Sequence, residues 1–225
     1  MTAIFTDLPS SLRAIPYFAP LPQPALDSIV AASQRRTFEP GNVLMLQGAP
    51  PTGVWFVIEG SVKVTKISPE GDEFILRLIG PGGHFNEIPV LDDHPNAATV
   101  IALSLTTCCH IPAEVIRQTV FAHPAATQAA IHFLARQVRA LLGQIEGLAL
   151  QSVGARLALF LLKQAETPEL NAPGITRAAI AAHLATTPET ISRLLRKFET
   201  EGAIQFDRHQ IVIVDEDRLL AVAGG

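Results

Sequence analysis

The residues that form turns are concentrated in the first half of this chain, and their distribution strongly limits the fold. Up to about residue 113, Gly- and Pro-containing turns recur between short β-rich segments, such as 54–58 and 62–65. This spacing is typical of a barrel or sandwich of short antiparallel strands. Four prolines between residues 16 and 24 predict that about the first 35 residues form only short helices.

Beyond residue 113 the pattern becomes helical. Pro124 suits the first turn of a long helix, where its missing N–H costs nothing. Six apolar residues of this helix, spaced alternately by three and four, occupy the a and d positions of three heptads: Ile131, Leu134, Val138, Leu141, Ile145 and Leu148. This set, the seam, predicts a coiled coil between two copies of the chain. The alternative is a helix that packs on the core of its own domain.

Residues 175–214 predict two short helices followed by a two-stranded wing. The first helix runs from Arg177 to Leu184 and leads into a short turn. The second begins at Pro188, with Thr187 as its N-cap. Two apolar strands flanking residues 207–210 complete the pattern of a winged helix-turn-helix.

The second helix carries a polar face suited to DNA. Glu189, Ser192 and Arg193 share its N-terminal end, which is the end that enters the major groove. Arg193 can bond a guanine edge and Glu189 can accept from a cytosine amino group, whereas Arg196 and Lys197 are placed for phosphates. The predicted DNA-binding set also includes Thr187, Thr190 and Arg208. The alternative is a solvated face of a structural helix.

Composition permits this interpretation without requiring it. The chain is 48% hydrophobic with a formal net charge of −4, so it can form cores but has no general affinity for nucleic acid. Its apolar runs are too short to span a membrane and its N-terminus does not resemble a signal peptide, so we expect a cytoplasmic protein without a membrane partner. Cys108 and Cys109 point to opposite faces of a strand, and we expect one buried and one partly exposed thiol.

Residues 188–195, with 201–204 and the wing, resemble the recognition unit of the Crp/Fnr family of bacterial transcription regulators. The β-rich segment 57–64 and the long helix occur in the family's order. The resemblance implies an α+β fold: a β-roll (a jelly roll like a cyclic-nucleotide-binding domain) over 1–113, a dimerisation helix region over 114–149, and a winged helix-turn-helix over 150–225. It also implies a homodimeric activator, not an enzyme, that binds an inverted repeat of double-stranded DNA and contacts RNA polymerase.

Two stretches indicate which branch of the family the chain resembles. The pattern Glu189-x-x-Ser192-Arg193 is that of the Fnr branch, which implies a TTGAT-like inverted repeat. The stretch 85–98, taken with residues 188–190, is similar to the Dnr-type regulators that respond to nitrogen oxides.

The effector pocket departs from the family pattern. A Gly-Glu pair and an Arg before a small residue hold ribose and cyclic phosphate in the family. Here Glu87 is kept, but Asn86 replaces the glycine, and Asn96 precedes Ala97 where the arginine is expected. A buried phosphate without a guanidinium loses its strongest contact, so cAMP is disfavoured as the effector. A cyclic-nucleotide-responsive regulator stays as an alternative.

The Dnr-type resemblance implies haem as a cofactor, and His183 and His132 are the candidate axial ligands. The histidine pair that Dnr-type proteins carry near the N-terminus is absent from this sequence. An iron–sulfur cluster needs about four cysteines and is disfavoured. Two alternatives stay open, namely control by thiol oxidation of the cysteine pair and a metal-dependent β-barrel enzyme. Against the enzyme, His84 and Glu87 stand without the second histidine of a His-x-His pair.

Overall fold

A computed structural model describes residues 8–68, 73–166, 175–206 and 211–224. Its N-terminal half contains the strands β1 Gln34–Phe38, β2 Val43–Met45, β3 Gly53–Glu59, β4 Val62–Ile67, β5 Glu73–Ile79, β6 His84–Phe85, β7 Thr99–Ala102 and β8 Thr106–Pro112. They form two antiparallel four-stranded sheets, in the orders β1-β8-β3-β6 and β2-β7-β4-β5. The predicted β-roll is confirmed.

The two central strands of the first sheet, β8 and β3, are buried on both faces. One face packs against the second sheet through Trp55, Val57 and Phe85. The other packs against helices through Val54 and Phe56. Burial on both sides explains why β3 is a continuous apolar run instead of an alternating one.

The same arrangement corrects the expectation for the two cysteines. They lie on β8 and point to opposite faces, Cys108 between the sheets and Cys109 towards the helices. Both are fully buried, because β8 is an interior strand of a sheet that is covered on both sides. The expected partly exposed thiol was therefore wrong.

Five helices accompany the β-roll in the described residues: α1 Leu8–Arg13, α2 Gln23–Ala32, α3 Glu87–Asp92, α4 Ala113–Ala122 and α5 Pro124–Leu150. The region 114–149 thus holds two helices. Ile116 and Val120 of α4 are buried in the core of the β-roll. His123 is extended (φ −118°, ψ 103°) and Pro124 starts the 27-residue helix α5, as its missing N–H favours.

The C-terminal unit contains α6 Val153–Glu166, α7 Arg177–His183, α8 Pro188–Thr200, β9 Ile204–Phe206, β10 Ile211–Ile213 and α9 Glu216–Ala223. Leu157, Ile180, Leu195 and Phe198 form the centre of its core. The two helices and the antiparallel wing were predicted, whereas α9 was missed. A local signal for α9 existed in Asp215, whose side chain accepts a hydrogen bond from Arg218 N at 3.1 Å.

The two halves of the chain share a packed contact. Ile75 and Leu78 of β5 belong to the same apolar core as α6, α7 and α8. A register shift opposite Val64 and Thr65 leaves Leu76 unpaired. Because a bulge reverses the alternation of side chains, Ile75 and Leu78 face the same way although they are three residues apart.

Candidate DNA-binding interface and sensor pocket

Side-chain caps hold the helix-turn-helix in shape. Thr176 Oγ1 accepts from Ala179 N at 3.2 Å and begins α7, and Thr187 Oγ1 accepts from Thr190 N at 3.3 Å and begins α8. Between the two helices, Ala185 adopts a left-handed conformation with φ 50°. This conformation costs about 1–2 kcal/mol for a residue other than glycine, and it makes the turn tight.

Helix α8 has a buried face and a polar face, as its sequence predicts. Ile191, Leu195 and Phe198 are fully buried. The opposite face exposes the charged side chains of the predicted set, while Ser192 and Thr190 are half-buried. A shallow open groove on this face is lined by Pro188, Glu189, Ser192, Arg193 and Arg196. The structure therefore brings the predicted base-contacting residues together on one surface, the recognition face. Arg208 lies outside the described residues.

Two further interactions frame the recognition face. Lys197 Nζ lies 3.8 Å from Glu201 Oε1, an exposed ion pair of the kind that contributes little stability. The guanidinium of Arg177 lies 5.2 Å from the ring centre of Phe206 and joins the start of α7 to the wing. Arg177 was predicted as the start of the first helix, but its contact with the wing was not predicted.

Most of the seam is exposed in the single chain. The exposed fractions are Ile131 60%, Val138 56%, Leu141 48%, Ile145 62% and Leu148 41%, and Leu134 is half-buried against the core of the β-roll. Another face of α5 is buried through Ala126, Ala130 and Phe133. The helix thus covers its own domain with one face and presents a row of apolar side chains on another, which is typical of a surface that binds a partner.

Glu87, the retained glutamate of the predicted effector pocket, has a cationic and a histidine side chain of its own domain beside it. Glu87 is 3% exposed, and its Oε1 lies 3.5 Å from Arg77 Nη1 while its Oε2 lies 3.7 Å from His84 Nδ1. Burial raises the pKa of the Glu87 carboxyl, but the neighbouring His84 and Arg77 outweigh it and the pKa is lowered. Burial also raises the pKa of Tyr17, and the charge of Glu87 adds to that effect.

The other predicted pocket residues serve the backbone of their own domain. Asn86 Nδ2 donates to Gly53 O at 3.0 Å, and Asn96 Nδ2 donates to Leu46 O at 3.2 Å. Both asparagines are buried, whereas Ala97 is exposed. The side chains of the two asparagines thus stabilise the backbone at Gly53 and Leu46.

The two candidate haem ligands lie in different surroundings. His183 is largely buried, its Nδ1 lies 2.9 Å from Ile75 O, and its ring packs on Phe160. Burial lowers the pKa of His183 and outweighs the hydrogen bond with Ile75 O, which raises it, and the charge of Lys163 adds to the lowering. His132 is exposed on α5.

Three further observations in the described ranges concern metal binding, thiol reactivity and membrane insertion. No group of three or more His, Cys, Asp or Glu side chains there is arranged to hold a metal ion. Burial raises the pKa of the Cys108 thiol to about 12. None of the helices described is both long and apolar enough to cross a membrane.

Two regions of the chain match known domain families. Residues 35–123 match the cyclic nucleotide-binding domain, and residues 155–222 match the Crp-like helix-turn-helix domain. The chain is 23% identical over 202 residues to the CRP-like cAMP-activated global transcriptional regulator of Mycobacterium tuberculosis, which covers 87% of this chain and 90% of that protein. It is 26% identical over 216 residues to the transcriptional activator protein anr of Pseudomonas aeruginosa, covering 89% and 84%.

The fold also matches a solved structure. The structure of FixK2 from Bradyrhizobium japonicum superposes with a TM-score of 0.77 at 21% identity, and the match covers 84% of this chain and 96% of FixK2. This chain joins a β-roll of the cyclic-nucleotide-binding type to a helix-turn-helix with capped helices, and this combination of domains is that of a transcription regulator. With both domain matches in this order, the chain belongs to the Crp/Fnr family.

Proposed function

We propose that this protein is a homodimer whose two α8 helices read a TTGAT-like inverted repeat. The observation that carries the proposal is the recognition face, where Glu189, Ser192 and Arg193 line one exposed groove at the capped start of α8. Bidentate bonding of Arg193 to a guanine and acceptance by Glu189 from a cytosine would supply base selection. Arg196, Lys197, Thr187, Thr190 and Arg208 complete the proposed contacts to DNA.

The dimer belongs to the same proposal. A second α5 packed on the seam would bury the exposed apolar row described above. Two-fold symmetry then places the recognition helices in successive major grooves, with half-site centres about 34–36 Å apart. RNA polymerase is the further partner that the family implies, and the name of the Pseudomonas relative supports activation.

The signal we propose is a small molecule or redox change other than cAMP. The expected arginine is replaced by Asn96, whose amide is engaged by a backbone carbonyl, and Glu87 already faces Arg77. A cyclic nucleotide is the second candidate, because residues 35–123 match the cyclic nucleotide-binding domain and the mycobacterial relative is named as cAMP-activated. Two deeply buried thiols do not favour control by cysteine oxidation.

The Dnr-type link to haem has less support from the geometry. The Nδ1 atom of His183 is occupied by Ile75 O, and the ring lies inside the contact between β5 and the DNA-binding unit. Ligation through this ring would compete with that packing. Our proposal therefore names no cofactor: His183 would have to leave this packing to bind haem through Nε2, and His132 is exposed on α5.

The direct test is the loss of base selection when Arg193 is shortened. Arg193→Ala should weaken binding by about 1–3 kcal/mol per half-site and should equalise the affinity for duplexes that differ at the contacted base. Arg35→Ala, an exposed arginine on β1, is the matched control and should keep wild-type binding. Fluorescence anisotropy with a TTGAT inverted repeat and its single-base variants measures both. Undiminished discrimination by Arg193→Ala would show that the assigned base contact is wrong.

A further inference from the structure

The guanidinium of Arg156 joins the end of the long helix to the helix-turn-helix. Its Nη1 donates to Gln151 O at 2.8 Å, and its Nη2 donates to Leu184 O at 3.0 Å. Gln151 is the C-cap of α5 and Leu184 is the C-cap of α7. One side chain therefore contacts the C-caps of two helices, and these two C-cap residues lie 33 positions apart in the sequence.

These acceptors are strong partners for a cation. The last carbonyls of a helix lack intrahelical donors and carry the negative end of the helix dipole. The guanidinium is planar and presents two N–H donors at a fixed separation, so it can satisfy both helix ends at once. Lysine presents a single ammonium on a flexible stem and matches this geometry less well.

Arg156 lies at the junction between the long helix α5 and the DNA-binding unit. Only Gln151 and Ser152 separate α5 from α6, and Gln151 is extended at φ −102° and ψ 146°. The next residue of α6, Leu157, is fully buried in the core of the DNA-binding unit. The backbone of Arg156 is thus anchored in that unit, while its Nη1 holds the end of the helix that carries the seam.

We propose that Arg156 is a positioning residue that sets the angle between α5 and the DNA-binding unit, and so selects the separation of half-sites that the dimer accepts. This inference rests on the proposed function. The side chain of Leu194, near the middle of α8, packs beside Gly154 at the junction, so the ends of this 13-residue helix lie about 10 Å to either side at about 1.5 Å per residue. A rotation of about 10° at the junction would move such a point by roughly 1.7 Å in each protomer, or roughly 3.5 Å in the dimer, which is close to the ~3.4 Å rise of one base pair.

The contacts predict a separable effect on binding. The N-caps of α7 and α8 and the recognition face do not involve Arg156. Loss of the guanidinium should therefore leave contact with one half-site nearly unchanged and should loosen the geometry that couples two half-sites.

The test uses the full chain and duplexes in which the half-site separation changes by one base pair at a time. Wild type should show one preferred separation, with affinity at least tenfold lower one base pair away. Arg156→Met keeps the apolar stem and should lose about tenfold at the preferred separation, with a profile flat to within two- to threefold. Its affinity for a duplex with a single half-site should stay within twofold of wild type. Arg35→Met is the control and should keep the wild-type profile.

Arg156→Lys separates positioning from stability. The ammonium can reach one of the two carbonyls, so this variant should restore part of the spacing preference at a wild-type thermal midpoint. If Arg156→Met does not fold, the Arg156→Lys profile decides the question, and an unchanged preference would overturn the proposal. Equal losses on single and paired half-sites would also overturn it, because Arg156 would then support the recognition unit itself. If wild type binds no inverted repeat, the proposed function fails first, which is a distinct result.

Discussion

Replacing Ile145 by Asp tests the dimer most directly. Ile145 is the most exposed residue of the seam, at 62%. Full burial of such a side chain is worth about 1.5–3 kcal/mol, so burying the remaining fraction contributes about 1–2 kcal/mol per protomer. Two-fold symmetry counts the contribution twice, which makes about 2–4 kcal/mol per dimer. At about 1.4 kcal/mol per tenfold, Ile145→Asp should raise the dimer Kd roughly 30- to 1,000-fold, before any repulsion between the two facing carboxylates.

Sedimentation equilibrium over a range of concentrations measures this Kd. Leu220→Asp is the matched control, because Leu220 is an exposed apolar residue on α9, away from the seam. It should leave the Kd unchanged, and both variants should keep the circular dichroism of wild type. A dimer of Ile145→Asp as tight as wild type would refute the seam. Monomeric behaviour of wild type at micromolar concentration would refute the dimer itself.

Two further predictions concern buried groups. Burial lowers the pKa of His183 from its ordinary value of 6.5, with Lys163 adding to the effect, so the unfolded chain takes up this proton first as the pH falls. The free energy of unfolding of wild type should therefore fall below about pH 6.5 more steeply than that of His183→Gln, a variant that keeps a donor for Ile75 O. Thermal unfolding of both proteins from pH 5 to 8 measures this difference. Parallel stability curves for the two proteins would contradict the prediction. Cys108 and Cys109 should react with a maleimide only after unfolding, because both thiols are buried and their pKa values are raised; rapid labelling of native protein would contradict their burial.

Much of the fold was predictable because its signals are local. Pro124 marks the start of α5, and Thr187 with Pro188 marks the start of α8, each within one helical turn. The apolar period of α8 likewise places Glu189 and Arg193 on its outer face without reference to any distant residue. The turn-rich first half predicted antiparallel strands, although the pairing order of the two sheets had no such local signal.

Other features depended on which strands became neighbours. One of the two cysteines was expected to be partly exposed, yet β8 is an interior strand with an apolar core on each face. The N-cap of the short helix α3, Asn86, has a left-handed conformation, which is uncommon for a residue other than glycine. No helix was predicted over these residues.

The sequence by itself determined the class of protein. The capped helix-turn-helix, the wing and the heptad row each depend on residues that lie close together in the chain. Tertiary structure decided what the remaining polar groups do. Glu87 of α3 lies beside Arg77 of β5, His183 contacts the carbonyl of Ile75, and Arg156 joins the ends of two helices. Such contacts follow from strand register and domain packing, which bring residues far apart in the chain to within hydrogen-bonding or ion-pairing distance.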